Sequence, residues 1–319
     1  LLDNDTGQTI TDSSASARTI SVVGEVNHSG VQKKIGSTSI KFDGSSDYLT
    51  VPDHADWVVG NGNWTIEFFV YMNATSIGNS NASFFQQRAS SGTGSPYQWR
   101  IFQDNATTFT LSGSVSNTSA NFSWTPASKT WYHVALVRDG SNAKLFINGT
   151  QTGGNQTVSG TFPDVSDVLM IGRIDTSNFL DGYMDEIRIV KGKAVYTGNF
   201  AVPTALTTTG GTYSSATNVV NPTSSETKLL IHSEAGGHSG AYGTVQSDGK
   251  KYYYTDIKGS KPIKDPRIGG HFGSQRHRIS SMQMLKGTET KDAYICDGRE
   301  WCRAVRITGT SAMPFYNDA

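Results

Sequence analysis

The chain has 319 residues, 36% of them hydrophobic and 17% charged, with 34 glycines and no formal net charge. That length allows two domains with cores of their own. No run of about 18 apolar residues occurs, which excludes a membrane-spanning helix. The two cysteines, Cys296 and Cys302, form neither a disulfide framework nor a zinc site; they read as two free thiols or one hairpin disulfide. Ser, Thr, Asn and Gly crowd the chain throughout, the composition of many short strands joined by turns, hence an all-β protein. Charge divides unevenly: residues 1–205 carry 13 Lys and Arg against 17 Asp and Glu, a net of −4, and residues 206–319 carry 14 against 10, a net of +4. Such a split points to head-to-tail contact between copies at least as much as to nucleic acid. The sequence opens on Leu1-Leu2 inside an apolar pattern, with no initiator Met and no signal peptide, and reads as a piece of something longer. Ten Asn-X-Ser/Thr sequons occur, most of them accidental in this composition.

In chain order, a strand at Ile40–Gly44 and another at Asp47–Pro52 flank the turn residues Asp43-Gly44-Ser45-Ser46. Asp53–Asp56 is a polar connector with room for one helical turn. The clearest strand is Trp64–Met72: Trp64, Ile66, Phe68, Val70 and Met72 face a core, and Thr65, Glu67, Phe69 and Tyr71 face away from it. Residues 73–96 read as one long loop, and strands follow at Gln98–Gln103 and Thr107–Gly113. Trp131–Arg138 alternates strongly, turns at Asp139-Gly140-Ser141-Asn142, and returns through Lys144–Gly149, where Asn148-Gly149 signals a second turn. Val168–Ile174 is the next strand. The last of this half is Asp181–Val190, with Tyr183, Asp185, Ile187 and Ile189 on one face and Met184, Glu186, Arg188 and Val190 on the other. Asp185 is anomalous on that apolar face; there it needs backbone donors, a cationic side chain or a metal.

Residues 204–226, rich in Thr, Gly, Ser and Asn, read as a linker. At Thr227–Ser233 the text restarts, with Leu229-Leu230-Ile231-His232 like Leu1-Leu2-Asp3-Asn4, yet no repeat of the first half follows. Tyr252–Tyr254, the basic and Pro-containing stretch Lys258–Gly273, Ile279–Lys286 and Arg299–Ile307 are the features of a smaller, mostly-β module over 227–319.

Four of these stretches together resemble the laminin-G-like, concanavalin A-like jelly roll. They are the hairpin around Asp43-Gly44, Trp131-Tyr132-His133-Val134 with its return Leu145-Phe146-Ile147-Asn148-Gly149, the closing strand Gly182–Ile189, and its continuation. The continuation, Lys191-Gly192-Lys193-Ala194-Val195-Tyr196-Thr197 with Asn199-Phe200 and Pro203, is similar to the version common in phage tail and virion proteins. The resemblance covers about residues 20–205. It implies a concanavalin A-like jelly-roll sandwich over residues 1–205, a lectin-like role, and calcium as a possible cofactor.

Glucanases of that superfamily carry alternating carboxylates on one strand. The nearest match here, Asp185-Glu186, places adjacent residues on opposite faces, so the chain reads as a non-enzyme. Asp43, Asp47, Asp164, Asp167, Asp175, Asp181 and Asp185 offer oxygen ligands for calcium, though each alone reads first as a turn former. Asp181 and Asp185 are the candidates for the metal. Phe69, Tyr71, Tyr97, Trp99 and Asp104 either stack on and hydrogen-bond a sugar or pack beneath the 73–96 loop. Arg267, His271, Arg276, His277 and Arg278 form a basic cluster that fits an acidic surface of a neighbouring subunit better than nucleic acid. The resulting expectation is a virion structural protein of a tail fibre or particle surface. It touches cell-surface glycan through the jelly roll and self-associates, or meets other virion proteins, through 227–319. The alternatives are an architectural subunit without sugar binding and an extracellular adhesin of a cell.

Overall fold

The computed structural model describes residues 8–74, 82–88, 97–104, 106–175, 177–233, 290–296 and 302–308; of 88, 97 and the last two segments it describes the backbone alone. The chain divides into two compact units, Leu1–Gly237 and His238–Ala319.

The first unit is built almost wholly of strands. β1 (Ser21–Val23), β2 (Asn27–Ser29), β3 (Ser39–Asp43) and β4 (Tyr48–Val51) precede a single 3-10 turn, Ala55–Trp57. β5 (Trp64–Met72), β6 (Ala82–Arg88), β7 (Tyr97–Asp104), β8 (Thr108–Gly113) and β9 (Ala120–Ser123) follow. Next come β10 (Trp131–Asp139), β11 (Asn142–Ile147) and β12 (Thr150–Thr157). Short β13 (Leu169–Ile171), β14 (Arg173–Ile174) and β15 (Asn178–Phe179) lead to the longest strand, β16 (Asp181–Lys191). β17 (Ala205–Thr207), β18 (Gly210–Thr212) and β19 (Thr227–Ile231) end the unit.

Hydrogen bonding joins these into two antiparallel sheets. One has the order β1-β4-β13-β6-β7-β8-β9; the other has β12-β11-β10-β5-β16-β3-β2, with β19 added along β16. Their inner faces make one core. Trp64, Ile66, Phe68, Val70, Ile187 and Ile189 all lie in it, as the alternation of β5 requires, against Phe85, Trp99, Ile101, Leu111 and Leu169 of the facing sheet. Phe68 spans the two layers, its ring 5.1 Å from Phe84 and 5.2 Å from Phe85. A second, smaller apolar cluster lies on the outer face of the eight-stranded sheet. There Val195, Tyr196 and Phe200 fold back over Ala135, Val137, Phe146 and Val190.

Four expectations change. β16 does not alternate throughout. Between Asp185 and Arg188 it gains one residue against β5, and Glu186 takes a left-handed φ of 49° to accommodate it. The bulge switches the strand's phase: Met184, Ile187 and Ile189 face the core, whereas Tyr183 and Asp185 face outward with Arg188. Asp185 is therefore not a carboxylate in the sandwich core. The 73–96 stretch is not one loop, because it contains β6 with Phe84 and Phe85 buried; two adjacent aromatics at a bulge against β7 hide the period of two. Residues 206–226 are not a linker, and the unit does not end at 205. β17 and β18 form a hairpin, and β19 pairs with β16 from Ile187↔Ile231 to Val190↔Thr227. Finally, the Thr/Gln/Gly-rich β12 is an edge strand with no apolar pattern to announce it.

In the second unit the described backbone is a hairpin of β20 (Thr290–Cys296) and β21 (Cys302–Thr308), with Cys296 opposite Cys302. The strand expected over Arg299–Ile307 corresponds to β21. Tyr252–Tyr254, Lys258–Gly273, Ile279–Lys286 and the cluster Arg267, His271, Arg276, His277 and Arg278 lie outside the described residues.

Gly182 in β16 has a φ of +155°, and a Cβ there would stand 2.1 Å from the Tyr71 carbonyl oxygen of β5. Gly182→Ala should therefore destabilise the unit by about 1–3 kcal/mol, the usual cost of overpacking. Denaturant titration of the two proteins checks this; an unchanged midpoint would show that the strands can separate at no cost.

Candidate functional site

The outer face of the eight-stranded sheet consists of rows of cross-strand neighbours, two of them covered and one at the end open. At the centre Glu67 of β5 stands opposite Arg188 of β16, both wholly buried. Arg188 Nε and Nη2 donate to Glu67 Oε1 at 2.8 and 2.6 Å. Tyr196 Oη donates to Glu67 Oε2 at 2.6 Å, and His133 Nε2 lies 3.2 Å from the same oxygen. An ionised carboxylate only accepts, so His133 carries its proton on Nε2. Burial alone would raise the Glu67 carboxyl; Arg188, His133 and Tyr196 more than offset it and hold it down at about 2. Arg188 Nη1 also donates to the carbonyls of Thr207, at 2.8 Å, and Gly210. The ion pair thus fastens the β17–β18 hairpin over itself.

The next row holds Phe69, Asp185 and His133. Asp185 Oδ2 accepts from the backbone N–H groups of Lys34 and Ile35 at 3.0 and 2.9 Å, and Oδ1 accepts from Ser233 Oγ at 2.7 Å. Its neighbour in the bulge, Glu186, accepts from Leu206 N at 3.0 Å and pairs with His232 Nδ1 at 2.7 Å. Both carboxylates are buried, at 1% and 4% exposure, and both tie separate chain segments to β16.

The end row is open. Lys41, Tyr183, Tyr71 and Trp131 are successive cross-strand partners on β3, β16, β5 and β10. The Tyr71 ring is 5.6 Å from Trp131 and 5.8 Å from Tyr183. Tyr71, Trp131 and Lys41 are half-buried, Tyr183 is buried at 8% exposure, and the Trp131 indole nitrogen finds no acceptor among the described residues. Beside this row, Asn73 Nδ2 donates to Asp181 Oδ1 at 2.7 Å and Asn73 N to Asp181 O at 2.9 Å. Gly44, with a φ of +77°, lets the preceding turn approach Asp181; a Cβ there would stand 2.7 Å from that of Asp181. Asp43 caps the same turn. Burial would raise its carboxyl, but hydrogen bonds from Ser45 and Ser46 hold it well below the usual range.

Of the residues singled out in the sequence, Tyr71 and Asp181 belong to this open end. Phe69 does not: it is fully buried, with Lys34 Nζ 5.8 Å above its ring. Trp99 points into the core, its indole N–H donating to Trp57 O at 3.2 Å. Tyr97 starts β7 and its side chain lies outside the described residues, and Asp104 is half-buried at the far end of that strand. Asp181 and Asp185 cannot share a calcium ion. Four residues of extended strand put roughly 13 Å between them, and the Asp185 oxygens already face N–H and O–H donors that a cation would have to displace. No group of three or more His, Cys, Asp or Glu able to hold a metal occurs among the described residues. Trp131 and Tyr183 were not foreseen as site residues. Their membership depends on which strands are neighbours, and Tyr183 also depends on the bulge.

Burial pushes the Asp185 carboxyl up to about 7, with Ile35, Ser233 and Lys34 pulling it back and Glu186 adding to the rise. In the unfolded chain it titrates near 4. The native state therefore holds the proton more tightly, and the stability from this group is complete below about pH 4 and lost as pH rises through about 7. Asp185→Asn should remove that part of the slope. Urea denaturation of both proteins from pH 4.5 to 7.5 checks this; parallel stability profiles would contradict it.

Residues 43–195 match the family model described as the concanavalin A-like lectin/glucanases superfamily. No curated protein matches the chain. Among solved structures, domain 4 of an extracellular arabinanase from Geobacillus stearothermophilus, in complex with arabinotriose, aligns at 19% identity and a TM-score of 0.42, covering 59% of this chain and 84% of that one. The CBM40 of the Ruminococcus gnavus IT-sialidase, bound to a sialyllactose, aligns at 15% identity and a TM-score of 0.42, covering 53% and 95%. Botulinum neurotoxin type C, whose cell entry is dependent upon interaction with two ganglioside molecules, aligns at 18% identity and a TM-score of 0.41, covering 58% of this chain and 46% of that one. Among the described residues no helix is long and apolar enough to cross a membrane. Residues 43–195 thus match the concanavalin A-like lectin/glucanases superfamily, and the two packed antiparallel sheets that contain them have the architecture of a concanavalin A-like jelly roll.

Proposed function

We propose that this domain binds glycan at the open end of its eight-stranded sheet, without cleaving it, as part of a virion structural protein. The observation that carries the binding reading is the half-buried pair Tyr71 and Trp131 on adjacent strands, backed by the buried Tyr183, with the Asp181–Asn73 pair beside it. Aromatic faces stack on the C–H faces of sugars, and an adjacent carboxylate and amide supply acceptors and donors for hydroxyls. The non-cleaving reading draws support from the only adjacent carboxylates on β16. Hydrolysis needs two accessible carboxyl groups flanking one glycosidic bond, whereas Asp185 and Glu186 are buried and bonded to Lys34, Ile35, Ser233, Leu206 and His232. The virion role rests on the likeness of residues 191–203 to phage tail and virion proteins. The segment beyond Ser233 is the part proposed to join copies of the chain, or the chain to its particle; residues 206–319 carry a net +4 against −4 in residues 1–205.

The test is a glycan array probed with the full chain and with Tyr71→Ala and Trp131→Ala. One stacked aromatic contributes about 0.5–1.5 kcal/mol, so each variant should bind its glycan up to about tenfold more weakly, with melting temperature near that of the wild type and no reducing sugar released. Binding unchanged in both variants would move the site elsewhere.

A further inference from the structure

The outer face of the seven-stranded sheet carries a second cluster that the glycan reading above does not use. Its centre is the β14–β15 hairpin. The Arg173 guanidinium lies over two rings, 4.6 Å from Tyr48 and 5.2 Å from Phe179, which are themselves 6.3 Å apart. Its Nε donates to the carbonyl oxygen of Asp175 at 2.8 Å. From the neighbouring strand β7, Arg100 lies 5.4 Å over the Phe102 ring and donates from Nη1 to Asp175 Oδ2 at 2.9 Å. Asp175 is held in turn: its N–H donates to Gln86 Oε1 at 2.9 Å, and its φ is 53°. A non-glycine residue in that conformation stores strain, which is common where a side chain is aimed for a purpose.

Two guanidinium groups are thus fixed by aromatic rings and converge on one residue. Arg100 is paired with the Asp175 carboxylate, whereas Arg173 meets only the Asp175 backbone carbonyl, so the Arg173 charge has no acidic partner among the described residues. The cluster is reachable from solvent, since Tyr48, Arg173 and Phe179 are half-buried and the side chains of Arg100 and Asp175 are 22% and 30% exposed. With Nε engaged, the two Nη groups of Arg173 make no hydrogen bond among the described residues. A guanidinium edge stacked in place and carrying parallel N–H donors matches a carboxylate in two-pronged fashion. A neutral sugar would leave that charge unanswered. We infer that this cluster binds the carboxylate of an acidic glycan, with Arg173 as the principal contact and Arg100, positioned by Asp175, as the second.

This site lies on the opposite sheet from the aromatic row and does not depend on it. The experiment uses the full chain on an array of sialylated and uronic-acid oligosaccharides, each printed beside its methyl ester. Esterification keeps the sugar and removes the negative charge. The expected result is binding to the free acids that the esters lack. Arg173→Ala should lower it by at least roughly tenfold, the scale of one charge-assisted hydrogen bond. Arg173→Lys, which keeps the charge and the fold but not the fork, should also weaken it. Trp131→Ala should leave the acid-dependent signal intact, even where it lowers binding of neutral sugars. Equal binding of acids and esters, or acid binding unaffected in a folded Arg173→Ala or Arg173→Lys protein, would overturn the inference. So would loss of acid binding in Trp131→Ala, since that would place the acid at the other site.

Discussion

The architecture of the domain turns on one extra residue. Glu186 is accommodated as a bulge in β16 against β5, and in a strictly alternating strand of the same sequence Ile187 and Ile189 would share a face with Asp185 and Tyr183. A strict alternation would force a choice between burying a carboxylate in the sandwich core and exposing two isoleucines. Either costs several kcal/mol: burying an uncompensated charge is prohibitive, and leaving two large aliphatics in water forfeits about 1.5–3 kcal/mol each. The bulge removes the conflict at the cost of one left-handed residue. It also aligns Arg188 with Glu67, so the ion pair and the core register are set by the same local event.

That ion pair then dictates what covers it. A charge pair stripped of water gives little net stability unless its remaining hydrogen-bonding capacity is filled. Here Glu67 is filled by His133 and Tyr196, and Arg188 by the Thr207 and Gly210 carbonyls. The apolar cover comes from the same segment. Tyr196 and Phe200 stack at 3.6 Å between centroids, over Phe146. Residues 192–213 therefore act as a lid on the sheet's middle rows, and their order follows from the polar groups beneath them as much as from their own side chains. His133 Nδ1 is left without a partner among the described residues, the one weak point in an otherwise complete network.

Much of this was legible in the sequence, and the exceptions share a cause. The core faces of β5 and β10 and the turns at Asp43-Gly44 and Asn148-Gly149 follow from period-two patterns and turn chemistry, which are local. Asp185 was rightly singled out as needing partners, but its face was misassigned, because a bulge leaves no mark in the identity of Glu186. Trp99 looked like a sugar-stacking residue only while its strand's inner face was unknown. The Thr/Gly/Ser composition of residues 204–226 resembled a linker, although what fixes those residues is donors and acceptors on distant strands. Lys34, Ile35 and Ser233 could not have been found as partners of Asp185 from spacing, being 151, 150 and 48 residues away.

The same long-range ties define where the domain ends. The Ser233 hydroxyl lies 2.7 Å from Asp185 Oδ1 and 2.8 Å from the Thr38 carbonyl and shares its one proton between them, and Thr38 donates to the Ser233 carbonyl. β19 covers the edge of β16 from Ile187 to Val190, and its own far edge is closed by Asp12, which accepts from Leu230 N at 3.0 Å, and by Ser13 N, which donates to Leu230 O at 2.7 Å. A chain ending at residue 205 or 226 would lose these ties together. It would uncover the backbone of the central strand beside the bulge, orphan Asp185 and Glu186 on one side, and leave residues 12–14 with nothing to pair. An exposed central edge of that kind invites pairing with another chain. The smallest unit that keeps these ties, with the Thr9 carbonyl on the His28 ring at 2.9 Å, therefore runs from about residue 9 through Ser233. The apparent restart of the sequence at Thr227 is the last strand of the first domain rather than the first strand of a second.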